Sequence, residues 1–214
     1  MINAMRSAAP DDLDVASGVW RTAGVVDTLH RDFRGKCYLC EVRIEPASFH
    51  IDHLELRHEE PDAAMSWANL FPACVDCNES RPKRSPDGGW LDPTEDDVEV
   101  ALDQRLIGHA YQPAFEAVDP DDRAATNTAT FLHRRHNAEA VKSLVLRDRI
   151  KRRVAYLFER FAELRRLEDE GRVDSVRWRE VRAVLRSLVS RSAEFTALVR
   201  SRASDFPRLE GLFD

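Results

Sequence analysis

No apolar run in this chain approaches the length of a membrane span, and residues Met1 to Pro10 lack the basic region and apolar core of a secretory signal. On that reading the expected setting is the cytoplasm, with no membrane partner. Internal repeats and low-complexity tracts are missing too, which argues against a repeat array or a disordered linker. Cysteine is scarce, with four in 214 residues, too few for a dense disulfide scaffold. Positive charge is also short overall: 32 Lys and Arg stand against 38 Asp and Glu, a net charge of -6. Taken alone, that balance speaks against a nucleic-acid binder.

The distribution of charge changes the picture. Phe131 to Ala203 holds 19 basic and 10 acidic residues, whereas Pro86 to Asp122 holds 11 acidic and one basic. A basic half can face a phosphate backbone while the acidic segment faces water or a partner. Apolar residues at 43% and charged residues at 33% suit a soluble globular chain. The length fits one sizeable domain or a small catalytic module packed on a helical one.

Periodicity sets the expected elements. Pro10 to Phe33 reads as a helix, with Asp11 and Asp12 as caps, Trp20 and Leu29 in its core, and Gly35 closing it. A short strand is expected around Ser48 to His53, a loop over Glu55 to Ala64, one helical turn over Ser66 to Phe71, and a short helix from Cys74 that stops near Pro82. Pro86 to Pro93 is turn-rich. Val100 and Leu106-Ile107 are strand candidates. From Asn127 onward the pattern is helical: a long amphipathic run over Ala138 to Glu170 using Leu144, Ile150, Leu157, Phe161 and Leu164, then a helix capped by Asp174 or Ser175, then one from Ser192 or Ala193 to before Pro207. The expected division is an N-terminal helical segment (1–35), a metal-stapled module (36–93), an acidic extension (94–126) and a C-terminal helical region (127–214). The fold class is mainly α with a small α+β core.

The four cysteines form two C-x-x-C pairs, Cys37-Tyr-Leu-Cys40 and Cys74-Val-Asp-Cys77, with 33 residues between them. Each pair presents two thiolates at adjacent corners of a tetrahedron, so Cys37, Cys40, Cys74 and Cys77 are expected to hold one structural Zn²⁺. Such a closed site leaves no position for a substrate; its work is to hold the fold. A disulfide or a redox C-x-x-C is the alternative.

Around the cysteines lie Asp52-His53, then Trp67-Ala-Asn69-Leu70, then Asn78 directly after Cys77. Here the chain resembles the HNH endonucleases. Beyond the metal core, C-Y-L-C-E, I-D-H, S-W-A-N-L-F and W-L-D-P-T-E-D-D make it similar to the HNH subunit of Septu-type anti-phage systems (PtuB-like). That resemblance implies a zinc-stapled ββα-metal (HNH) module packed with N-terminal and C-terminal helices, and a nuclease acting beside an ABC/SMC-like ATPase in a defence complex. It also implies that Asn69 orients His53.

Phosphodiester hydrolysis needs a base for the attacking water and a cation for the charge that builds on the phosphorane. His53, neutral near pH 7, is the expected general base. Asp52 and the side-chain carbonyl of Asn78 are the expected ligands of a catalytic Mg²⁺ or Mn²⁺. Neighbours in a regular strand point to opposite faces, so Asp52 and His53 can share a site only at a strand end, bend or bulge. Arg81, Lys83 and Arg84 are expected nucleic-acid contacts, with DNA favoured over RNA as substrate. His50 and His58 read as loop or solvent-facing residues, Trp67 as a core anchor, and Glu41 as a salt-bridge partner within the knuckle. The competing reading is a non-catalytic zinc-knuckle adaptor or nucleic-acid-binding module, which has no reason to carry Asp52, His53, Asn69 and Asn78 together.

Overall fold

A computed structural model describes residues 1–13 and 19–214. The described residues are mainly helical and form two two-stranded antiparallel sheets. It divides into two compact units: Met1–Asp103 with Phe115–Arg135, and Gln104–Ala114 with His136–Asp214.

The first unit begins with an extended segment pinned by polar contacts. Arg6 donates to the carbonyls of Trp67 (2.9 Å) and Leu70 (3.0 Å), and its guanidinium lies 4.5 Å from the centroid of the Phe71 ring. Helix α1 spans Ala23–Asp32. Its start is a correction to the expected helix from Pro10: Thr22 is the cap, its hydroxyl accepting from the Val25 N–H at 3.2 Å, and positions 14–18 lie outside the described residues. Asp12 still serves the helix end, accepting from the Gly24 N–H at 2.8 Å. A Cβ at Gly24 would meet that carboxylate at 2.4 Å, so any larger residue there would push the Asp12 side chain away. Leu29 is buried as expected, and Phe33 meets Phe71 edge-on.

Strand β1 (His50–His53) pairs antiparallel with β2 (Leu70–Ala73), setting Asp52 opposite Phe71 and His53 opposite Leu70. The strand β2 replaces part of the single turn expected over Ser66 to Phe71. Only Trp67–Asn69 coils there, and all four β2 residues are buried because tertiary packing overrides local propensity. Helix α2 (Val75–Ser80) follows at once and stops before Pro82. The loop expected over Glu55 to Ala64 ends in a 3-10 segment, Pro61–Met65.

Helix α3 (Val98–Ala101), capped by Asp97, absorbs Val100, which is therefore not a strand residue. Leu106 and Ile107 do lie in a strand, β3 (Leu102–Ile107), which pairs with β4 (Gln112–Ala117), a strand the sequence pattern had not suggested. Helix α4 (Arg123–Asn137) starts four residues before the expected Asn127, because the Asp122 carboxylate accepts from the Ala125 N–H at 3.0 Å and caps it.

In the second unit, α5 (Val141–Asp169) packs on α6 (Val176–Val189) and α7 (Thr196–Ala203), and α8 (Pro207–Glu210) follows. The buried stripe of α5 is Leu146, Ile150, Val154, Leu157, Leu164 and Leu167. Leu144, expected in that stripe, is 50% exposed, since the 3.6-residue repeat through Ile150 runs back to Leu146. Phe161 instead joins Phe206, with centroids 5.2 Å apart. Gly171, at φ 69°, closes α5, and Ser175 caps α6 by accepting from the Trp178 N–H.

Candidate active site

The first cysteine pair sits on a tight knuckle closed by the Cys37 N–H on the Val42 carbonyl (2.9 Å) and the Glu41 N–H on the Cys37 carbonyl (3.0 Å). Glu41 adopts a left-handed φ of 58° there and, buried, accepts from Lys36 (3.1 Å) and the Met1 ammonium (2.8 Å). The salt bridge expected of Glu41 is thus made. Burial alone would raise its pKa, but the two cations hold it below the usual carboxylate range. The second pair rides on α2: Cys74 caps the helix, its sulfur accepting from the Cys77 N–H at 3.4 Å.

These turns bring all four sulfurs within 4.8 Å of one another, and Cys40 and Cys74 are 3.7 Å apart. Zinc–sulfur bonds of about 2.3 Å in a tetrahedron separate sulfurs by about 3.8 Å, so the cluster could hold a zinc ion. Four sulfurs this close cannot all carry charge without a cation: the Cys74 thiol is driven down by hydrogen bonds from its neighbours, while those of Cys40 and Cys77 are driven up. Arg135, from α4, adds positive charge. Burial pulls its pKa down, but the charges of Cys77 and Cys40 outweigh that and raise it. Arg135 also reaches Asp76 at 3.3 Å. Its part at the cysteine cluster was not legible in the sequence, because 58 residues separate it from Cys77.

An open cleft of about 780 Å³ lies beside this frame, lined on its polar side by Asp52, His53, Arg57, His58, Asn78, Arg81 and Lys83. His53 is the last residue of β1 and only 7% exposed. Its Nε2 lies 3.0 Å from the carbonyl oxygen of Ala64. A carbonyl can only accept, so the proton sits on Nε2 and Nδ1 keeps its lone pair. Burial lowers the pKa of His53 to about 4, with Arg57 adding to the shift and the Ala64 carbonyl opposing it. The ring is therefore neutral at pH 7. Trp20 packs edge-on against it, 5.5 Å between centroids, and Arg57 covers the Trp20 face at 4.6 Å. Trp20 is thus a wall of the cleft, not the core residue of a helix.

Asn69 is buried, as its contacts require. Its Oδ1 accepts from the Glu55 N–H (2.6 Å), and its Nδ2 donates to the carbonyls of Glu55 (3.0 Å) and Ala63 (3.0 Å). The residue it anchors is the immediate neighbour of Ala64.

Asp52 is 6% exposed and accepts from the Tyr38 hydroxyl (2.6 Å) and the His53 N–H (2.9 Å), with Arg81 Nε at 3.4 Å. Burial raises its pKa despite Arg81, Tyr38 and the backbone donor. His53 at the strand end and Asp52 one residue earlier both line the cleft, which meets the geometric condition for sharing a site. Asn78 donates through Nδ2 to Nδ1 of His50 at 3.1 Å, leaving its carbonyl Oδ1 uncommitted. His50 is therefore a partner of Asn78, a role the loop reading missed; strand alternation puts it on the Asp52 side of β1. The oxygen donors of Asp52 and Asn78 are of the type a hard divalent cation takes.

The three expected phosphate contacts separate. Lys83 is exposed and lines the cleft, and Arg84 is exposed without lining it. Arg81 is 9% exposed: it donates to the Leu54 carbonyl at 2.8 Å, pairs with Asp52 and covers the Trp90 ring at 4.4 Å. It is mainly a buried clasp on the strand end. Arg57, not anticipated, supplies a further cation at the cleft. His58 is exposed there, and Trp67 is a packing residue, its indole N–H donating to the Ser7 carbonyl at 2.8 Å. No described helix is long and apolar enough to cross a membrane. Compared with protein-family models, with curated proteins and with solved structures, the chain matches none.

Proposed function

We propose that this chain is a metal-dependent HNH endonuclease that hydrolyses nucleic-acid phosphodiester bonds, DNA foremost, through a ββα-metal module spanning β1, β2 and α2. The observation that carries this reading is the state of His53: a buried, neutral imidazole held by Nε2 on the Ala64 carbonyl, lining an open cleft with its Nδ1 lone pair available. That is the arrangement a general base requires. Nδ1 takes a proton from the attacking water, and Asn69, through the Glu55 and Ala63 backbone, keeps the ring carbonyl in place. Asp52 and Oδ1 of Asn78 would hold Mg²⁺ or Mn²⁺, which supplies charge neutralisation at the phosphate when bound. Lys83 and Arg57 grip the flanking backbone phosphates.

The resemblance to Septu-type nuclease subunits adds a partner, an ABC/SMC-like ATPase, and a role in anti-phage defence. A chain of net charge -6 binds free DNA weakly, so direction by a partner fits the composition. The test is incubation of the zinc-loaded chain with supercoiled plasmid, or with a structured RNA, and Mg²⁺ or Mn²⁺, alone and with the proposed ABC/SMC-like ATPase partner. Nicks with 5′-phosphate and 3′-hydroxyl ends are expected. Absence of cleavage of both the plasmid and the RNA under all of these conditions rejects the reading.

A further inference from the structure

Many arginines of the second unit are neutralised. Arg149 pairs with Glu194, Arg152 with Asp148, Arg160 and Arg177 with Glu163, Arg200 with Asp214, Arg202 with Asp205 and Arg208 with Glu168. Helix α6 breaks this rule on one face. Arg179, Arg182 and Arg186 make no ion pair among the described residues. The single acid of α6, Glu180, is taken by Arg177 at 3.3 Å. The opposite face of the helix carries the buried Val181, Leu185 and Leu188, so the arginines are directed to the surface by the packing itself.

The three arginines line a shallow depression of about 210 Å³ together with Trp178 and Ala183. Arg182 lies over the Trp178 ring at 5.5 Å, and the indole N–H of Trp178, shielded from solvent, has no hydrogen-bond acceptor. Three unpaired guanidinium groups, an aromatic ring and a spare donor form a set that accepts anions and offers none of its own. Concentrating like charge on a helix face is unfavourable unless a polyanion relieves it.

We infer that this face of α6 is a nucleic-acid backbone-binding surface, separate in residues from the cleft of the first unit. Arg179 to Arg186 covers about 10 Å of helix. That spans about three phosphates of one duplex strand at about 3.4 Å of axial rise each. Choosing nucleic acid over another polyanion rests on the nuclease reading, but its test reads binding and not cleavage.

The experiment uses the full chain carrying His53→Ala, so that no substrate is consumed. Fluorescence anisotropy follows binding of a labelled 20-base-pair duplex, of the matching single strand and of poly-glutamate across a KCl series. The triple variant Arg179→Gln, Arg182→Gln, Arg186→Gln is compared, with circular dichroism to verify that the helices persist. Loss of three phosphate contacts makes the slope of log K against log [KCl] shallower by about 2–3 and weakens low-salt affinity at least about tenfold. Oligonucleotide binding should also change the tryptophan emission, and Trp178→Phe should remove most of that change. A folded triple variant with unaltered affinity and slope overturns the inference. So does a wild-type chain that binds poly-glutamate as tightly as DNA, which would assign the face to an acidic protein. If plasmid cleavage fails while DNA binding falls as stated, the nuclease reading is lost and this surface stands.

Discussion

The imidazole of His53 and the carbonyl of Ala64 meet at 3.0 Å, a contact that fixes which ring nitrogen carries the proton. The carbonyl belongs to the 3-10 segment Pro61–Met65, and Asn69 holds its neighbour Ala63. The state of the proposed base is therefore set by a backbone carbonyl eleven residues further along the chain.

Asn69→Ala removes three hydrogen bonds to that segment and should lower stability by about 1–3 kcal/mol. It should lower kcat by ten- to a hundredfold with KM for DNA little changed, because the ring is mispositioned while the phosphate contacts remain. Steady-state kinetics with denaturant melts check both effects. A variant that melts early yet keeps its kcat would make Asn69 structural only.

The depressed pKa of His53 predicts an unusual pH profile. His53 must be neutral to act, so kcat/KM should stay level as pH falls through 6.5 and decline only near pH 4. Stability carries the same signature. The unfolded ring titrates near 6.5 and the folded one near 4, so the unfolded state binds more protons in that window, and stability is lost as pH falls through it. Asp52, with its raised pKa, acts in the opposite sense, contributing stability that is lost as pH rises. Melting curves of wild type and His53→Gln between pH 4 and 7 isolate the contribution of the histidine; an identical pH dependence would refute the shift.

Arg81→Ala should cost stability, since it leaves Asp52 buried without its cation and uncovers Trp90. About 3–5 kcal/mol is the expected scale for breaking one side of a buried pair. Were Arg81 a surface phosphate contact, the variant would keep its melting point and lose salt-dependent DNA affinity instead. Urea unfolding distinguishes the two.

Much of the cysteine frame was legible from spacing alone: C-x-x-C turns impose local geometry whatever surrounds them, and the 4.8 Å cluster of sulfurs follows. The pairing of Asp52 with His53 in one cleft was legible as a condition, because strand alternation permits it only at a strand end. What could not be read is what long-range packing decides. Arg81 sits in a charged run after a helix, and only the fold shows it swallowed between Asp52 and Trp90. His50 resembled any loop histidine until β1 and α2 placed it on Asn78. Likewise, β2 and β4 were hidden because short buried strands lack a period of their own, and Trp20 because its partner ring is 33 residues away.

Asn78→Ala should raise the Mg²⁺ concentration for half-maximal cleavage about tenfold or more by removing a proposed ligand. His50→Ala should shift it in the same direction but less, because the Asn78 amide is then free to turn. A metal titration of cleavage reads both. An unchanged midpoint for Asn78→Ala would remove it from the metal site.

Structure and chemistry are proposed to belong to separate places: four cysteines that could hold a zinc ion, and a cleft where His53 would act with an exchangeable cation. Zinc content and single-turnover DNA cleavage in Mn²⁺, measured side by side for wild type, His53→Ala and Cys74→Ser with the proposed ATPase partner added, test it directly. Wild type and His53→Ala should each carry about one zinc per chain with equal melting points, and only His53→Ala should be folded yet inactive, while Cys74→Ser loses zinc and stability together. Cleavage by His53→Ala at the wild-type rate, or full zinc and stability in Cys74→Ser, would contradict it.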